Sequence, residues 1–308
     1  MKGLRNVEVL IRHLFPSCIV KLLQTLKLRL RMSAAKFKIK RSEPLKKKRT
    51  KIGFGASIVE HCNLNCKGCS NFSCIAEPDF IAPENFRRDM ERMGEIFDHV
   101  CDGISLIGGE PLLHPEIVSL MKTARKNFTD GIIYVFTNGV LLPSMSPEFW
   151  EACHENDIGI KISAYPIKLD TEKITATAQK YGVNVSWVRD ETETERSTFR
   201  KQHINLAGNS DGALNFAVCA RGNGCITLNK GHLYTCTFAA HIHNFSRRFG
   251  LNIEATDADR VNIYDDLTAD EIFQELTKPI PLCRYCDTIS PPETFTWGPT
   301  KRDIKEWA

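Results

Sequence analysis

Residues 52–69 read IGFGASIVEHCNLNCKGC, a β-like run from Ile52 to Glu60 that leads straight into Cys62, Cys66 and Cys69. The first half has the Ile, Val and Phe content of a strand. The second half sets three thiols at CxxxCxxC spacing on one short loop. A cubane 4Fe-4S cluster usually takes four cysteine thiolates, so three leave one iron without a protein ligand and open to chemistry. With 12 cysteines among 308 residues, chance alone yields this spacing somewhere at roughly the 2% level, so the motif has to be read in its context.

The context is an alternation of strands and helices. GISLI (Gly103–Ile107) is the next β-like run and ends in Gly108-Gly109-Glu110-Pro111. Between the two runs, Phe86, Met90, Met93 and Phe97 recur at helical spacing on one face. A second helix is predicted over Pro115–Phe128, with Ile117, Met121, Ala124 and Phe128 as its apolar stripe and Pro115 in its first turn. The pattern continues through a strand Ile132–Phe136 closed by Thr137-Asn138-Gly139, a helix near Pro147–Asn156, a strand Ile158–Ser163, a helix near Thr171–Tyr181 and a strand Val183–Val188. Five strands separated by helices imply parallel pairing with right-handed crossovers, hence an α/β fold of partial-barrel type. Chemistry in such barrels sits at the C-terminal ends of the strands. The cysteine loop, Gly108–Pro111, Asn138 and Ser163 all fall there.

The order and placement of these motifs resemble the radical S-adenosylmethionine (SAM) enzymes over about Gly53–Asp190. The resemblance implies a partial (β/α)6 barrel and a 4Fe-4S cluster on Cys62, Cys66 and Cys69, whose open iron takes the amino and carboxylate groups of SAM. It further implies reductive cleavage of SAM to methionine and a 5′-deoxyadenosyl radical, which abstracts hydrogen from an organic substrate. A low-potential electron donor of the flavodoxin or ferredoxin type supplies the electron. On this reading Gly108 and Gly109 let the backbone approach the methionine moiety, and Glu110 accepts a hydrogen bond from the SAM amino group. Asn138 and Ser163 resemble positions that contact the ribose or carboxylate of SAM, with Lys161 nearby. Each also has an ordinary reading, since Gly-Pro and Asn-Gly mark turns. One departure stands out: the residue before the third cysteine, often aromatic in the family, is Gly68, and Phe72 is either a substitute surface for adenine or a core residue. Glu60 and His61 flank the loop without a spacing that demands a role, and His114 beside Pro115 reads as part of a helix start.

A second cysteine set follows the barrel. Cys219, Cys225 and Cys236 lie in CARGNGCITLNKGHLYTC, and Cys283 and Cys286 form a CxxC. With Gly231 five residues before Cys236, the segment resembles the hairpin of SPASM and twitch auxiliary-cluster domains. That resemblance implies a second iron-sulfur cluster on Cys219, Cys236, Cys283 and Cys286, with Cys225 replacing Cys219 or packing nearby. A tetrahedral zinc knuckle uses the same ligand types and is the plain alternative. Cys18, Cys74, Cys101 and Cys153 match no spacing and read as small buried hydrophobes.

Composition bounds the rest. At 42% apolar and 25% charged residues, the chain reads as a globular protein, and its cysteines at metal-ligand spacings suit a reducing cytoplasm better than a disulfide scaffold. Residues 1–51 carry 16 of the 41 Lys and Arg but only 2 of the 37 acidic residues, a net +14 that leaves the remainder at −10. Val7–Met32 has the mixture of an interfacial amphipathic helix and Lys36–Lys51 that of a polybasic linker. The expected organisation is a basic extension over 1–51, a barrel core over 52–205 and a small cysteine-rich C-terminal domain over 206–308. The arm suits a peripheral anionic membrane surface, or is a solvated extension. Aromatic-basic interleaving for nucleic acid is absent from it. The function expected is radical chemistry on an unidentified peptide, sugar or nucleotide-linked substrate. The alternatives are a glycyl-radical-type activating enzyme and a non-catalytic zinc protein that binds nucleic acid.

Overall fold

The computed structural model describes residues 33, 51–188, 197–201, 203–222, 224–290 and 293–308. The basic extension, Cys18 and the acidic stretch Glu191–Glu195 therefore lie outside the described residues. Five parallel strands linked by four helices open the fold: β1 (Ile52–Val59), β2 (Cys101–Gly108), β3 (Ile132–Thr137), β4 (Ile158–Ser163) and β5 (Val185–Val188). Helices α1 (Pro83–Ile96), α2 (Ile117–Asn127), α3 (Pro147–Glu155) and α4 (Thr171–Tyr181) connect them. All four strand pairs are parallel, as the helical crossovers require. Burial alternates along β3 and β4, so Ile133, Val135, Ile158, Ile160 and Ile162 face the helices. The opposite, concave face carries Tyr134, Phe136, Lys161 and Ser163. Lys161 lies with its Nζ 3.8 Å from the Tyr134 ring centroid, a cation-π contact.

Local chemistry sets the helix ends. Asp170 caps α4 by accepting from the Lys173 amide at 3.0 Å, and Gly182, at φ +66°, ends it. The Val183 amide then returns to the Ala178 carbonyl, so β5 starts at Val185 rather than at Val183. Likewise α2 starts at Ile117, not Pro115. A 3₁₀ turn, Pro111–Leu113, intervenes, and the His114 ring and carbonyl accept from the Glu116 and Ile117 amides. His114 is buried there, with its Nε2 2.9 Å from the Ile81 carbonyl.

The remaining elements do not extend the barrel at β5. They are β6 (Thr198–Arg200), α5 (Gly212–Val218), β7 (Thr227–Asn229), β8 (His232–Tyr234), α6 (Thr237–Phe249), β9 (Arg260–Asn262), α7 (Ala269–Leu276) and β10 (Thr294–Thr296). The eight-stranded sheet runs β5-β4-β3-β2-β1-β7-β8-β9. Its sixth parallel strand, β7, thus joins beside β1, with Gly55 opposite Thr227, and the hairpin β7–β8 and β9 continue antiparallel. Gly231 makes the hairpin turn at φ +76°, and the buried Asp89 carboxylate accepts from its amide at 2.9 Å. A separate antiparallel pair joins β6 to β10.

Two buried clusters support this frame. One lies between the parallel strands and their helices. The second lies under the cysteine loop, where Phe72, Phe238, Phe245 and Trp307 meet. Phe72 is fully buried, so it is a core residue. Among the described residues no helix is long and apolar enough to cross a membrane.

Candidate functional site

The C-terminal ends of the parallel strands and the loop after β1 enclose a cavity of about 770 Å³. Its wall includes Cys62, Cys66, Cys69, Gly108, Gly109, Asn138 and Ser163. Parallel strands deliver their ends to one side of a sheet, which is why residues spread over a hundred positions converge. Asn138 reaches the cysteine loop directly, its Nδ2 donating to Asn63 Oδ1 at 2.7 Å and lying 3.7 Å from Cys62 Sγ. Asn71 braces the other side, donating to the Gly108 carbonyl at 3.0 Å.

Glu110 is placed differently from the expectation. Its carboxylate does not line the cavity; it is fully buried and accepts from the Leu112 amide, the Thr137 hydroxyl (2.7 Å) and the Asn138 amide (2.9 Å). Burial pushes its carboxyl above the usual range, and these three donors oppose that rise. Glu110 therefore ties the end of β2 to the end of β3 and aims Asn138. The glycine pair also has a requirement that lies within the chain. A Cβ on Gly109 would stand 1.9 Å from the His61 carbonyl oxygen, and one on Gly108, at φ +147°, 2.1 Å from that of Val59. The Gly109 and Glu110 amides donate to these same two carbonyls. The glycines thus let the cysteine loop dock on the end of β2.

The three thiols differ in acidity. Burial pushes Cys62 up to about 12, with the nearby Glu110, Cys69 and Cys66 adding to the rise, and it pushes Cys66 up to about 11. A hydrogen bond from the buried Cys74 thiol holds Cys69 below the ordinary thiol range. Any metal bound here displaces the Cys62 and Cys66 protons.

Residues far downstream complete the loop. Trp297 Nε1 donates to Cys66 Sγ at 3.2 Å, and Trp307 Nε1 to the Cys69 carbonyl at 2.8 Å. The Lys67 and Thr300 amides exchange backbone hydrogen bonds with Gly298 and Asn65. Gly68, at φ +61°, faces the Phe295 ring: a Cβ there would lie 2.9 Å from its Cζ. Phe295 from β10 thus packs against the position where a side chain at residue 68 would begin. Behind the loop, the buried Glu60 carboxylate accepts from His241 Nδ1 (2.9 Å), Asn244 (2.7 Å) and Asn229 (3.1 Å). Burial alone would raise its pKa, but the His241 hydrogen bond and the charges of His241 and His243 bring it down to about 2.

The second cysteine set gathers around the CxxC turn. Asn215 on α5 donates to the carbonyls of Cys283 (3.0 Å) and Cys286 (2.6 Å). Burial raises the Cys236, Cys283 and Cys286 thiols, and Cys219 adds to each by proximity. Cys225 is influenced by Cys219 among these thiols. Among the described residues, no three His, Cys, Asp or Glu side chains converge as on a single metal ion. Cys101 and Cys153 are buried apart from both sets. Sequence reading missed Trp297, Trp307 and Phe295, which belong to no spaced motif, and Asn63, which fills a variable position within the cysteine motif.

Residues 57–185 match the radical SAM superfamily. The match runs from within β1 to the start of β5, 129 of the 308 residues. The chain is 30% identical to a GTP 3',8-cyclase of Trichodesmium erythraeum over 31% of its own length and 30% of the relative's. It is also 30% identical to molybdenum cofactor biosynthesis protein 1 of Bos taurus, over 37% and 17%. The match thus spans less than a third of these relatives. Among solved structures it is similar to BtrN in complex with AdoMet and 2-DOIA (TM-score 0.47, 14% identity, 79% of this chain and 96% of that one). A second similar structure is anSMEcpe with bound AdoMet (TM-score 0.48, 16% identity, 76% and 84%). The residues at this cavity fit a 4Fe-4S cluster with SAM: three thiols share a wall with a close-packed glycine turn, an amide and a hydroxyl.

Proposed function

We propose that Cys62, Cys66 and Cys69 hold the 4Fe-4S cluster and that the cavity beside them takes SAM and an organic substrate. The observation that supports this most directly is that all three thiols line one cavity with Asn138, Ser163 and the glycine pair. When bound, the cluster and SAM supply one-electron cleavage of the sulfonium to a 5′-deoxyadenosyl radical that takes hydrogen from a substrate carbon. Asn138 and Ser163 orient the polar groups of SAM. Glu110 acts through Asn138, whose amide it fixes. Trp297 and Trp307 anchor the thiolate loop and cover it against water. The electron comes from a low-potential flavodoxin- or ferredoxin-type donor, and the setting is cytoplasmic. Anaerobic reconstitution, iron counting and a SAM-cleavage assay with dithionite test the assignment. The Cys62→Ala/Cys66→Ala/Cys69→Ala variant is expected to yield no 5′-deoxyadenosine above background; production at the wild-type rate would overturn it.

A second iron-sulfur cluster on Cys219, Cys236, Cys283 and Cys286, in a SPASM/twitch-like C-terminal region over 206–308, is part of the same proposal. The mutual influence of these four thiols supports that choice of ligands over Cys225.

A further inference from the structure

Four neighbours enclose the thiol loop: the cavity, the aromatic cluster of Phe72, Phe245 and Trp307, the end of β2, and residues 297–307. The last lies between the loop and solvent. This cover is one layer of chain, because Pro299 is exposed while its backbone pairs with that of Cys66, and the Thr300 amide donates to the Asn65 carbonyl. None of residues 297–305 lines the cavity.

The outer side of the cover presents cations. Lys301, Arg302 and Lys305 are exposed, and among the described residues none of their side chains forms an ion pair or a hydrogen bond. Their backbone, by contrast, is tied down. The buried Glu306 carboxylate accepts from the Lys301 amide at 2.7 Å and from the Thr300 hydroxyl, which itself accepts from the Arg302 amide at 2.9 Å. Asp303 turns its carboxylate onto the Lys305 amide at 3.0 Å. Both acids of residues 300–308 are thus engaged with the backbone of their own segment. Arg302 is held at φ +57°, a conformation that disfavours any residue with a Cβ. A solvated tail requires neither that residue nor the buried carboxylate. Among the described residues 293–308 no large apolar side chain is exposed, so the turn lacks what an interfacial membrane segment inserts.

Electron transfer weakens steeply with distance, so a protein donor has to dock where the cover over a cluster ligand is thinnest. We propose that residues 299–305 are the docking surface of a small acidic one-electron carrier protein, whose carboxylates meet Lys301, Arg302 and Lys305. Lys301 is two residues from Pro299, which keeps its Cα within about 7 Å of the backbone paired with Cys66. The carrier is oxidised by one equivalent, and its electron enters on the Cys66 side of the loop from outside the cavity. The proposal rests on the assignment of Cys62, Cys66 and Cys69 to the cluster.

The test uses the full-length, reconstituted, SAM-loaded protein and a flavodoxin of net negative charge, oxidised for calorimetric binding and fully reduced for turnover. In wild type, reduced flavodoxin is expected to support 5′-deoxyadenosine formation, with an affinity that falls as salt rises. In Lys301→Glu/Arg302→Glu/Lys305→Glu, checked for wild-type iron content and circular dichroism, flavodoxin affinity and flavodoxin-driven kcat/KM should each fall about tenfold or more. The dithionite-driven rate should not change. If that variant fails to fold, Lys301→Gln/Lys305→Gln carries the test with a smaller expected loss. A charge-matched control on the exposed faces of α2 and α4, Lys122→Glu/Lys126→Glu/Lys173→Glu, should stay close to wild type, which separates docking from the effect of net charge. Equal loss in the control, unchanged flavodoxin affinity in the variant, or no flavodoxin-driven turnover where dithionite does drive it overturns the proposal. So does a variant that loses sedimentation with vesicles rich in anionic lipid but keeps its affinity for flavodoxin. Salt-dependent flavodoxin binding that the variant loses, with no 5′-deoxyadenosine from either reductant, supports the surface and counts instead against the cluster assignment.

Discussion

With Cys66 as a cluster ligand, as proposed, Trp297 would set the properties of a cofactor it does not ligate. Its indole N–H lies 3.2 Å from Cys66 Sγ, and hydrogen bonds to cluster sulfurs stabilise the more negative, reduced state. Trp297→Phe keeps the ring and removes the donor. The reduction potential of the reconstituted cluster should fall by about 40 mV for each ~1 kcal/mol of differential stabilisation lost. An EPR-monitored redox titration reads this directly, and an unchanged potential would show that the contact is structural only. Glu60 gives a second prediction at this scale. Its folded pKa, about 2, lies below its ordinary value of 4.5, so the charged form stabilises the fold above pH 4.5 and that stabilisation is lost as pH falls toward 2. The difference in stability between wild type and Glu60→Gln should therefore be largest near neutrality, about 3 kcal/mol at most, and shrink through this window. Denaturant midpoints measured across pH would reveal a constant gap if packing alone were at stake.

At the scale of elements, the strands and helices of the barrel were legible because each carries its own period. The apolar stripe Phe86, Met90, Met93 and Phe97 and the strand Ile158–Ser163 appear as read, since their burial depends on local spacing. What the sequence hid was the reason for its glycines. Gly108 and Gly109 read as an approach to a ligand; they line the cavity and also serve an approach of the chain to itself. Gly68 read as a gap in a motif, and it is a seat for Phe295. The segment from β10 to Trp307 has no period, and its partners lie 231 and 238 residues away, so no local pattern could announce it. Gly68→Ala tests this packing. It places a Cβ at φ +61° against Phe295 and the Glu306 carbonyl, and should cost about 1–3 kcal/mol. Limited proteolysis at Lys301 and Arg302 should accelerate in the variant; unchanged protection would mean that the strap does not depend on Gly68.

At the scale of the whole molecule, the sheet order sets the division of labour. Because β7 joins beside β1 and not beyond β5, the strand that follows Cys219 and Cys225 lies next to the strand that leads into the first cysteine loop. Arg221 lies between them on the cavity wall. Cys283→Ala/Cys286→Ala should therefore remove about one cluster's worth of iron, up to 4 atoms for a 4Fe-4S centre, while SAM cleavage at the first site persists. Iron analysis showing no loss would exclude an auxiliary cluster, and zinc in its place would identify a knuckle. The charge split has its own consequence at this scale. Removing residues 1–50 takes away 15 of the 41 Lys and Arg and only 2 acidic residues, turning the net charge from +4 to −9, and sedimentation with vesicles rich in anionic lipid should be lost while iron content is retained. Equal sedimentation would assign the arm no membrane role.

The strap over the cysteine loop also orders events in time. A loop that needs Trp297, Gly298 and Trp307 to close cannot reach its final form while those residues are still being synthesised, although β1–β5 precede them and can already pair. On the proposed assignment, cofactor insertion then belongs after residues 297–307 have emerged from the ribosome. A nascent chain stalled before residue 297 would present three unprotected thiols to the cell.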